Sequence, residues 1–266
     1  MSVKLGVIGG GVMGSAIVSR LITQGTYQST EIIIGEPTLK QREALHQQYG
    51  VRVTDDNNLV AMAPVLLLAV KPQIFDMVAS ALDRFNPAQV VISILAGVSI
   101  AQLERAFPDR AVVRAMPNTP ATVGMGLTAL AAGSLVSAAQ MELATQIFQA
   151  VGEVVTVPES LMDAVTGLSG SGPAYVAIAI EALADGGVAA GLPRAIADRL
   201  ALQTVLGTAT LLKESQLHPA QLKDRVTSPG GTTIAGVTKL EQAGFRSALI
   251  QAVIAATKRS QELGNS

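Results

Sequence analysis

The sequence predicts an α/β N-terminal domain built on a doubly wound parallel sheet, followed by an all-α C-terminal domain. Two observations support this prediction. Up to residue 157, short β-branched runs alternate with helix-length segments, which is the pattern of βαβ units. After Pro158 the strand signals end, and long runs rich in Ala, Leu and Ile follow with helical spacing. We therefore expect domains at residues 1–158 and 159–266.

The individual elements follow from the same patterns. Strands are predicted at 3–8, 31–35, 51–54, 65–70, 90–94, 112–116, 126–132 and 153–157. Helices are predicted between them at 12–24, 38–49, 73–82, 99–106 and 137–150. Helices of the second part are predicted at 160–167, 173–191, 193–214, 219–226, 233–242 and 247–263. Pro173, Pro193 and Pro219 each stand where a helix begins, the position at which proline is best tolerated.

The composition narrows the class of protein. Apolar residues make up 49% of the chain and aromatic residues only 3%, and mean hydropathy is +0.42. No apolar run reaches the roughly 18–20 residues of a spanning helix, so we expect no membrane segment and assign the excess to a helical subunit interface. A net charge of −1 without a basic cluster argues against nucleic-acid binding.

Cysteine and histidine content excludes further classes of site. The absence of cysteine excludes disulfides, thiolate catalysis and thiolate metal sites. His46 lies on a polar helix and His218 precedes Pro219, so neither has a metal-ligand partner and no metal site is expected. The N-terminus lacks the pattern of a signal peptide, and we expect a cytoplasmic protein.

A glycine-rich turn follows the first predicted strand. Gly9-x-Gly11-x-x-Gly14 opens the first helix, which is the context of a Rossmann dinucleotide site. In that motif the first glycine makes the tight turn, the second lets the pyrophosphate approach, and the third lets helix and strand pack closely. The sequence therefore predicts a dinucleotide-binding domain.

The end of the second strand leaves the type of dinucleotide open. Glu36 stands where an acidic residue accepts hydrogen bonds from the adenosine ribose, which would favour NAD. Lys40 and Arg42 follow and could instead face the 2′-phosphate of NADP. A solvated loop carboxylate is an equally good interpretation of Glu36.

Three further segments are candidates for contact with a ligand. Two follow predicted strands, and the third opens the helical part of the chain. Lys71, in the run Ala-Val-Lys-Pro-Gln at 69–73, is expected at the cofactor rim, because ligands lie beyond the carboxyl ends of parallel strands. A stiff loop, Met-Pro-Asn-Thr-Pro at 116–120, is expected near the nicotinamide. Three glycines between 167 and 172 permit either close ligand approach or close backbone packing.

A second glycine motif lies far from the first. Residues 226–234 read Val-Thr-Ser-Pro-Gly-Gly-Thr-Thr-Ile and lead into a predicted helix. A glycine pair at a helix start directs several N–H groups the same way, at the positive end of the helix dipole. This motif predicts a second anion site, for the acidic group of a substrate.

These motifs together resemble the Δ1-pyrroline-5-carboxylate reductase family over nearly the whole length. The resemblance lies in the first glycine motif, the runs at 69–73 and 116–120, and Asp-Ala-Val-Thr-Gly-Leu-Ser-Gly-Ser-Gly-Pro-Ala-Tyr at 163–175. Its most specific part is Pro-Ala-Gln-Leu-Lys-Asp-Arg-Val-Thr-Ser-Pro-Gly-Gly-Thr-Thr-Ile-Ala-Gly at 219–236, followed by Lys-Leu-Glu at 239–241.

The resemblance implies a set of functional residues. Those expected to line the dinucleotide are Ile8, Gly9, Gly10, Gly11, Val12, Met13, Gly14, Glu36, Asn57, Ala69, Val70, Lys71, Pro72, Ala96 and Gly97. Those expected to bind the substrate carboxylate and ring nitrogen are Ser228, Gly230, Gly231, Thr232 and Thr233. It also implies NADPH as cofactor, with NADH as the alternative, and a homodimer of interleaved helical domains that can assemble into decamers.

The expected reaction is hydride transfer from NAD(P)H to the cyclic imine of 1-pyrroline-5-carboxylate, giving L-proline. Thr233 is the expected catalytic residue, through a hydrogen bond from its hydroxyl to the ring nitrogen. One rival is a β-hydroxyacid dehydrogenase, but such an enzyme carries a lysine after the second-domain glycine motif, where residues 173–180 have none. Other rivals are a non-catalytic dinucleotide-binding regulator and a helical oligomerisation module.

Overall fold

The structure, a computed structural model, describes residues 2–264. The chain forms two compact units: one contains the chain up to Ser171 and again from Ala255 onward, and the other is Gly172–Ile254. The residues just after 158 pack with the first unit, because Met162 is fully buried against Ala129 and Ala131. The boundary near 158 between a dinucleotide-binding and a helical domain therefore stays a prediction. It differs from the boundary between the two compact units.

The first unit is built on one sheet of eight strands. The strands are β1 (Leu5–Ile8), β2 (Ile32–Gly35), β3 (Arg52–Thr54), β4 (Val65–Leu68), β5 (Val90–Ser93), β6 (Ala111–Met116), β7 (Gly126–Ala132) and β8 (Gly152–Thr156). They lie in the order β3-β2-β1-β4-β5-β6-β7-β8, whose first six positions have the dinucleotide-binding order. The predicted strands are confirmed, but the sheet is not wholly parallel: β7 pairs antiparallel with β6.

Helices cover both faces of this sheet. They are α1 (Val12–Thr23), α2 (Leu39–Tyr49), α3 (Asn57–Ala61), α4 (Phe75–Ser80), α5 (Ile100–Ala106), α6 (Ala138–Gln149) and α7 (Met162–Val165). The short helix α3 was not predicted, since five residues carry no helical periodicity. Asp56 starts it by accepting a 2.9 Å hydrogen bond from the Asn58 N–H.

Successive side chains of each strand are buried on opposite faces of the sheet, as the two-residue period of a strand requires. In β4, Leu67 packs into one cluster with Ile17 and Phe148 of α1 and α6, whereas Leu66 and Leu68 pack into the cluster on the opposite face. That opposite cluster includes side chains of α3, α4 and α5. Burial on both faces explains the nearly continuous apolar runs of the parallel strands.

The second unit is helical. It contains α8 (Gly172–Ala189), α9 (Arg194–Ser215), α10 (Pro219–Arg225) and α11 (Thr232–Gln242), and α12 (Phe245–Gly264) begins there. Its small core consists of Ala184, Ala197 and Ala201, so α8 and α9 pack closely through small residues. A five-residue π-helical turn, Thr166–Gly170, comes before α8 and was not predicted. Within the described residues, no helix combines the length and apolarity needed to cross a membrane.

Candidate functional site

The first glycine motif forms the turn between β1 and α1. Gly9 has φ 110°, and a side chain there would place its Cβ 2.5 Å from the Ala69 carbonyl oxygen. A Cβ on Gly14 would collide with the Gly9 carbonyl oxygen. Both positions therefore require glycine for the backbone conformation and for close packing of helix on strand.

Gly11 requires a different explanation. No atom lies within 4 Å of the position that its Cβ would occupy, and its φ of −72° suits any residue. α1 begins at this glycine without a side-chain cap, so the positive end of its dipole faces open space. The fold leaves this space free next to a helix N-terminus, which fits the pyrophosphate of a dinucleotide.

A cleft of about 350 Å³ lies in front of this turn. Its lining brings together eight of the residues predicted to bind the dinucleotide. They are Ile8, Gly9, Gly11, Glu36, Asn57, Ala69, Val70 and Lys71. The cleft is also lined by Asp55, which the sequence did not single out. Asp55 lies directly after β3. Its position at the carboxyl end of a parallel strand is the sequence signal that could have identified it as a lining residue.

Other predicted residues adjoin this cleft without lining it. Gly10 donates its N–H to Glu36 at 3.2 Å. Val12 and Met13 form the first turn of α1 together with Gly14, and the Met13 side chain packs against the core. Pro72 begins the 3₁₀ turn that follows Lys71.

Ala96 and Gly97 are not among the residues that line this cleft. They follow β5, and Gly97, with φ 78°, approaches the backbone of Leu263 and Gly264 at the end of α12. Gly97 lines a separate depression together with Arg114 and Glu159. Their role at the dinucleotide stays a prediction.

The end of β2 has a fixed arrangement of charges. The Glu36 carboxylate accepts hydrogen bonds from the Gly10 N–H at 3.2 Å and from the Thr38 N–H at 3.1 Å. Arg42 Nη1 donates to the carbonyl oxygens of Glu36 and Pro37, at 2.7 and 2.9 Å. Arg42 Nη2 forms an ion pair with Asp55 at 3.1 Å. The Arg42 guanidinium is therefore committed to this loop.

The run at 116–120 has a structural role. Asn118 Oδ1 accepts a hydrogen bond from the Leu127 N–H at 2.9 Å, and its Nδ2 donates to the Ser169 carbonyl at 3.2 Å. Ser169 belongs to the π-helical turn, and a Cβ on Gly170 would lie 3.0 Å from Met116 Cε. Asn118 thus holds β7 and the glycine-rich turn together, so packing explains at least part of both motifs.

The second glycine motif lies in the helical unit. Gly230 has φ 67°, and Gly231 donates its N–H to the Ser228 carbonyl at 3.1 Å. A Cβ on Gly231 would collide with Ser228 Oγ. α11 begins at Thr232 without a side-chain cap, Thr232 is exposed, and Thr233 is half-buried. The loop therefore presents a glycine-lined helix N-terminus to its surroundings, the geometry of an anion site.

Histidine chemistry is absent from both sites. His218 Nδ1 accepts the Ala220 N–H at 3.2 Å and caps α10, as its position before Pro219 indicated. His46 Nδ1 lies 2.9 Å from the Val51 carbonyl oxygen. Across residues 2–264, no three His, Asp or Glu side chains are grouped as a metal site would require.

A doubly wound sheet with this turn and cleft, in a chain that also has a helical unit, is typical of a nicotinamide-dinucleotide-dependent oxidoreductase. Residues 4–97 match the family model of NADP oxidoreductases, coenzyme F420-dependent, and residues 159–263 match the model of pyrroline-5-carboxylate reductase dimerisation.

Relatives narrow this class. The chain is 63% identical to the pyrroline-5-carboxylate reductase of Synechocystis over 99% of both chains. It is 42% identical to that of Escherichia coli over the full length of both. The chain belongs to the pyrroline-5-carboxylate reductase family.

Solved structures agree with this assignment. The pyrroline-5-carboxylate reductase of Coxiella burnetii has a TM-score of 0.90 at 38% identity, covering 98% of each chain. The Plasmodium falciparum pyrroline carboxylate reductase, solved with NADP bound, has a TM-score of 0.89 at 32% identity and the same coverage. An Aquifex aeolicus prephenate dehydrogenase, 14% identical with a TM-score of 0.55, shares the fold alone.

Proposed function

We propose that this chain reduces the cyclic imine 1-pyrroline-5-carboxylate to L-proline with a reduced nicotinamide dinucleotide, the last step of proline biosynthesis. The observation that carries the proposal is the pairing of two anion sites in one chain. The first is the open turn at Gly11, and the second is the uncapped start of α11 at Gly231. Full-length similarity to reductases of this family supports the same reaction.

The first site fits a dinucleotide. Gly11 leaves room for a pyrophosphate, Glu36 stands at the ribose position, and Lys71 lines the same cleft. When bound, the reduced nicotinamide supplies the hydride. The residues of the chain therefore need only bind the two reactants and orient them.

The second site fits the substrate carboxylate. The N–H groups at the start of α11, from Thr232 onward, with the hydroxyl of Ser228, would hold the carboxylate and fix the ring, while the Gly231 N–H stays bonded to the Ser228 carbonyl and shapes the loop. Gly230 gives the loop its left-handed bend. The Thr233 hydroxyl would donate to the ring nitrogen of a neutral imine or accept from the N–H of a protonated one, and so orient the ring. An imine that arrives protonated requires no strong general acid, which explains why neither histidine is placed for one.

Steady-state turnover tests the reaction against its rivals. The purified full chain is assayed with NADH and NADPH, first with 1-pyrroline-5-carboxylate and then with small β-keto acids. We expect turnover with the imine alone. Turnover with a keto acid but not the imine would support a hydroxyacid dehydrogenase, and cofactor binding without any turnover would support a regulator.

Assembly is part of the proposal. We propose a cytoplasmic homodimer formed through the helical unit, with decamers as the larger assembly. Exposed large apolar side chains on α8 and α9 support this, since such faces mark subunit contacts. Among them are Ile178, Leu183, Leu200, Leu202 and Leu206. The match to a dimerisation model over residues 159–263 supports the same surface.

A further inference from the structure

We infer that Glu36 selects between the two nicotinamide dinucleotides, and that its carboxylate favours NADH over NADPH. The inference rests on the proposed function in taking the cleft as the dinucleotide site. It names a specificity residue that the comparisons do not assign.

The Glu36 carboxylate is pre-oriented and has acceptor capacity left. Its two oxygens offer about four lone-pair positions. Two are taken by the N–H groups of Gly10 and Thr38, at 3.2 and 3.1 Å. The remaining positions can accept from two vicinal ribose hydroxyls. A 2′-phosphate offers no such donor and brings its own negative charge to the same place.

Neither of the two cations that follow β2, Lys40 and Arg42, lines the cleft as the structure describes it, so neither is placed to compensate for that charge. Arg42 is committed to the carbonyl oxygens of Glu36 and Pro37 and to Asp55, and its side chain is only 14% exposed. Lys40 is exposed and does not line the cleft.

The lining itself is acidic at this end. Asp55 adds a second carboxylate, and Lys71, the one cation in the described lining, follows β4 at the sheet's carboxyl edge. An NADP-selective site places an arginine at this position. Here the Arg42 guanidinium donates to the loop carbonyls, and Glu36 lines the cleft.

Direct binding tests the inference without the imine. Dissociation constants of NAD⁺ and NADP⁺ are measured by calorimetry for the wild type, Glu36→Gln and Glu43→Gln. Glu36→Gln keeps the side-chain length and removes the charge. Glu43→Gln removes a charge from the exposed face of α2, outside the cleft lining, and is the matched control.

We expect the wild type to bind NAD⁺ about tenfold more tightly than NADP⁺, since like-charge contacts are costly. Glu36→Gln should remove most of that preference by tightening NADP⁺ binding, and Glu43→Gln should change it by less than about twofold. Equal or tighter NADP⁺ binding by the wild type, or an unchanged preference in Glu36→Gln, would overturn the inference.

Salt dependence gives a second measurement that needs no variant. Repulsion of the 2′-phosphate is screened by salt, so the wild-type preference for NAD⁺ should shrink as ionic strength rises. A preference that grows with salt would mean that a cation contacts the 2′-phosphate, and Glu36 would not be the selector. If the preference is found but no proline is formed, the proposed reaction fails while the inference on Glu36 stands.

Discussion

At the scale of single residues, the three glycines of the first motif have separate functions. Gly9 and Gly14 are fixed by the fold, because a Cβ at either position would meet backbone atoms. Gly11 has no positive φ, and no atom lies within 4 Å of the position that its Cβ would occupy. We propose that only the ligand requires glycine at this position, so a substitution should weaken dinucleotide binding without lowering stability.

Gly11→Ala is expected to raise the dissociation constant of either dinucleotide about tenfold or more, because a methyl group would occupy the approach of the pyrophosphate. Thermal stability without ligand should stay within about 2 °C of wild type. Calorimetric binding and thermal unfolding measure the two effects. Gly9→Ala is the control and should cost about 2 kcal/mol or more of unfolding free energy. Normal binding by Gly11→Ala would contradict the assignment.

Thr233→Ala is expected to lower kcat/KM for 1-pyrroline-5-carboxylate about a hundredfold while leaving dinucleotide affinity nearly intact. The hydroxyl lost is the one proposed to contact the ring nitrogen. Thr233→Ser should recover most of the activity. Thr238→Ala is the matched control, because that hydroxyl only donates to the Ile234 carbonyl of its own helix, at 2.8 Å. Unchanged turnover in Thr233→Ala would remove it from the mechanism.

Side-chain direction is what sequence could not supply at this scale. Position after β2 left open whether Glu36 accepts from the ribose hydroxyls or whether Lys40 and Arg42 face a 2′-phosphate, because all three follow the strand end. The choice depends on hydrogen bonds between the loop carbonyls and the Arg42 guanidinium, which no spacing rule encodes.

At the scale of elements, the strands were predicted where burial on both faces gives unbroken β-branched runs. The short helix α3 and the π-helical turn Thr166–Gly170 were not predicted, because tertiary contacts decide both. The Asn118 side chain holds that turn. The antiparallel direction of β7 was not predicted for a related reason: strand direction depends on the connection, here the short segment 117–125, which contains the 3₁₀ turn Thr119–Val123.

An ion pair between a buried arginine and a half-buried glutamate joins β6 to the segment before α7. Arg114, 8% exposed, donates from Nη1 to Glu159 at 3.0 Å, and the same Glu159 oxygen accepts the Ile100 N–H at 2.6 Å. One carboxylate thus satisfies a strand residue and the first residue of α5, which ties three elements of the first unit together.

Glu159→Ala is expected to lower the free energy of unfolding by about 2–3 kcal/mol, because it leaves a buried guanidinium and a backbone N–H without their acceptor. Denaturant unfolding measures the change. Glu262→Ala, which breaks the exposed pair with Arg259, should cost less than about 0.5 kcal/mol. Equal costs for the two variants would show that the buried pair does not stabilise these elements.

At the scale of the whole molecule, composition shows that the chain has more apolar residues than its core needs, and the fold shows which unit exposes them. The sheet unit buries its large side chains on both faces, whereas the helical unit has only a small alanine core. An apolar content of 49% was enough to predict a subunit interface. The side chains proposed to form it could not be predicted, because they depend on how the helices pack.

Leu202→Lys is expected to raise the concentration at which the proposed dimer dissociates by about tenfold or more, since it places a charge in an apolar interface. Leu39→Lys is the matched control, because Leu39 on α2 is 60% exposed and Leu202 on α9 is 57% exposed. Sedimentation over a concentration series measures both. Equal behaviour of the two variants would move the interface away from α9.

The most direct test of the account is the stoichiometry of product formation. The purified full chain is given 1-pyrroline-5-carboxylate and a limiting amount of reduced dinucleotide, and L-proline and the oxidised dinucleotide are both quantified. The account predicts one proline formed for each dinucleotide oxidised. Oxidation without proline, or no oxidation in a protein shown to bind the dinucleotide, would contradict it.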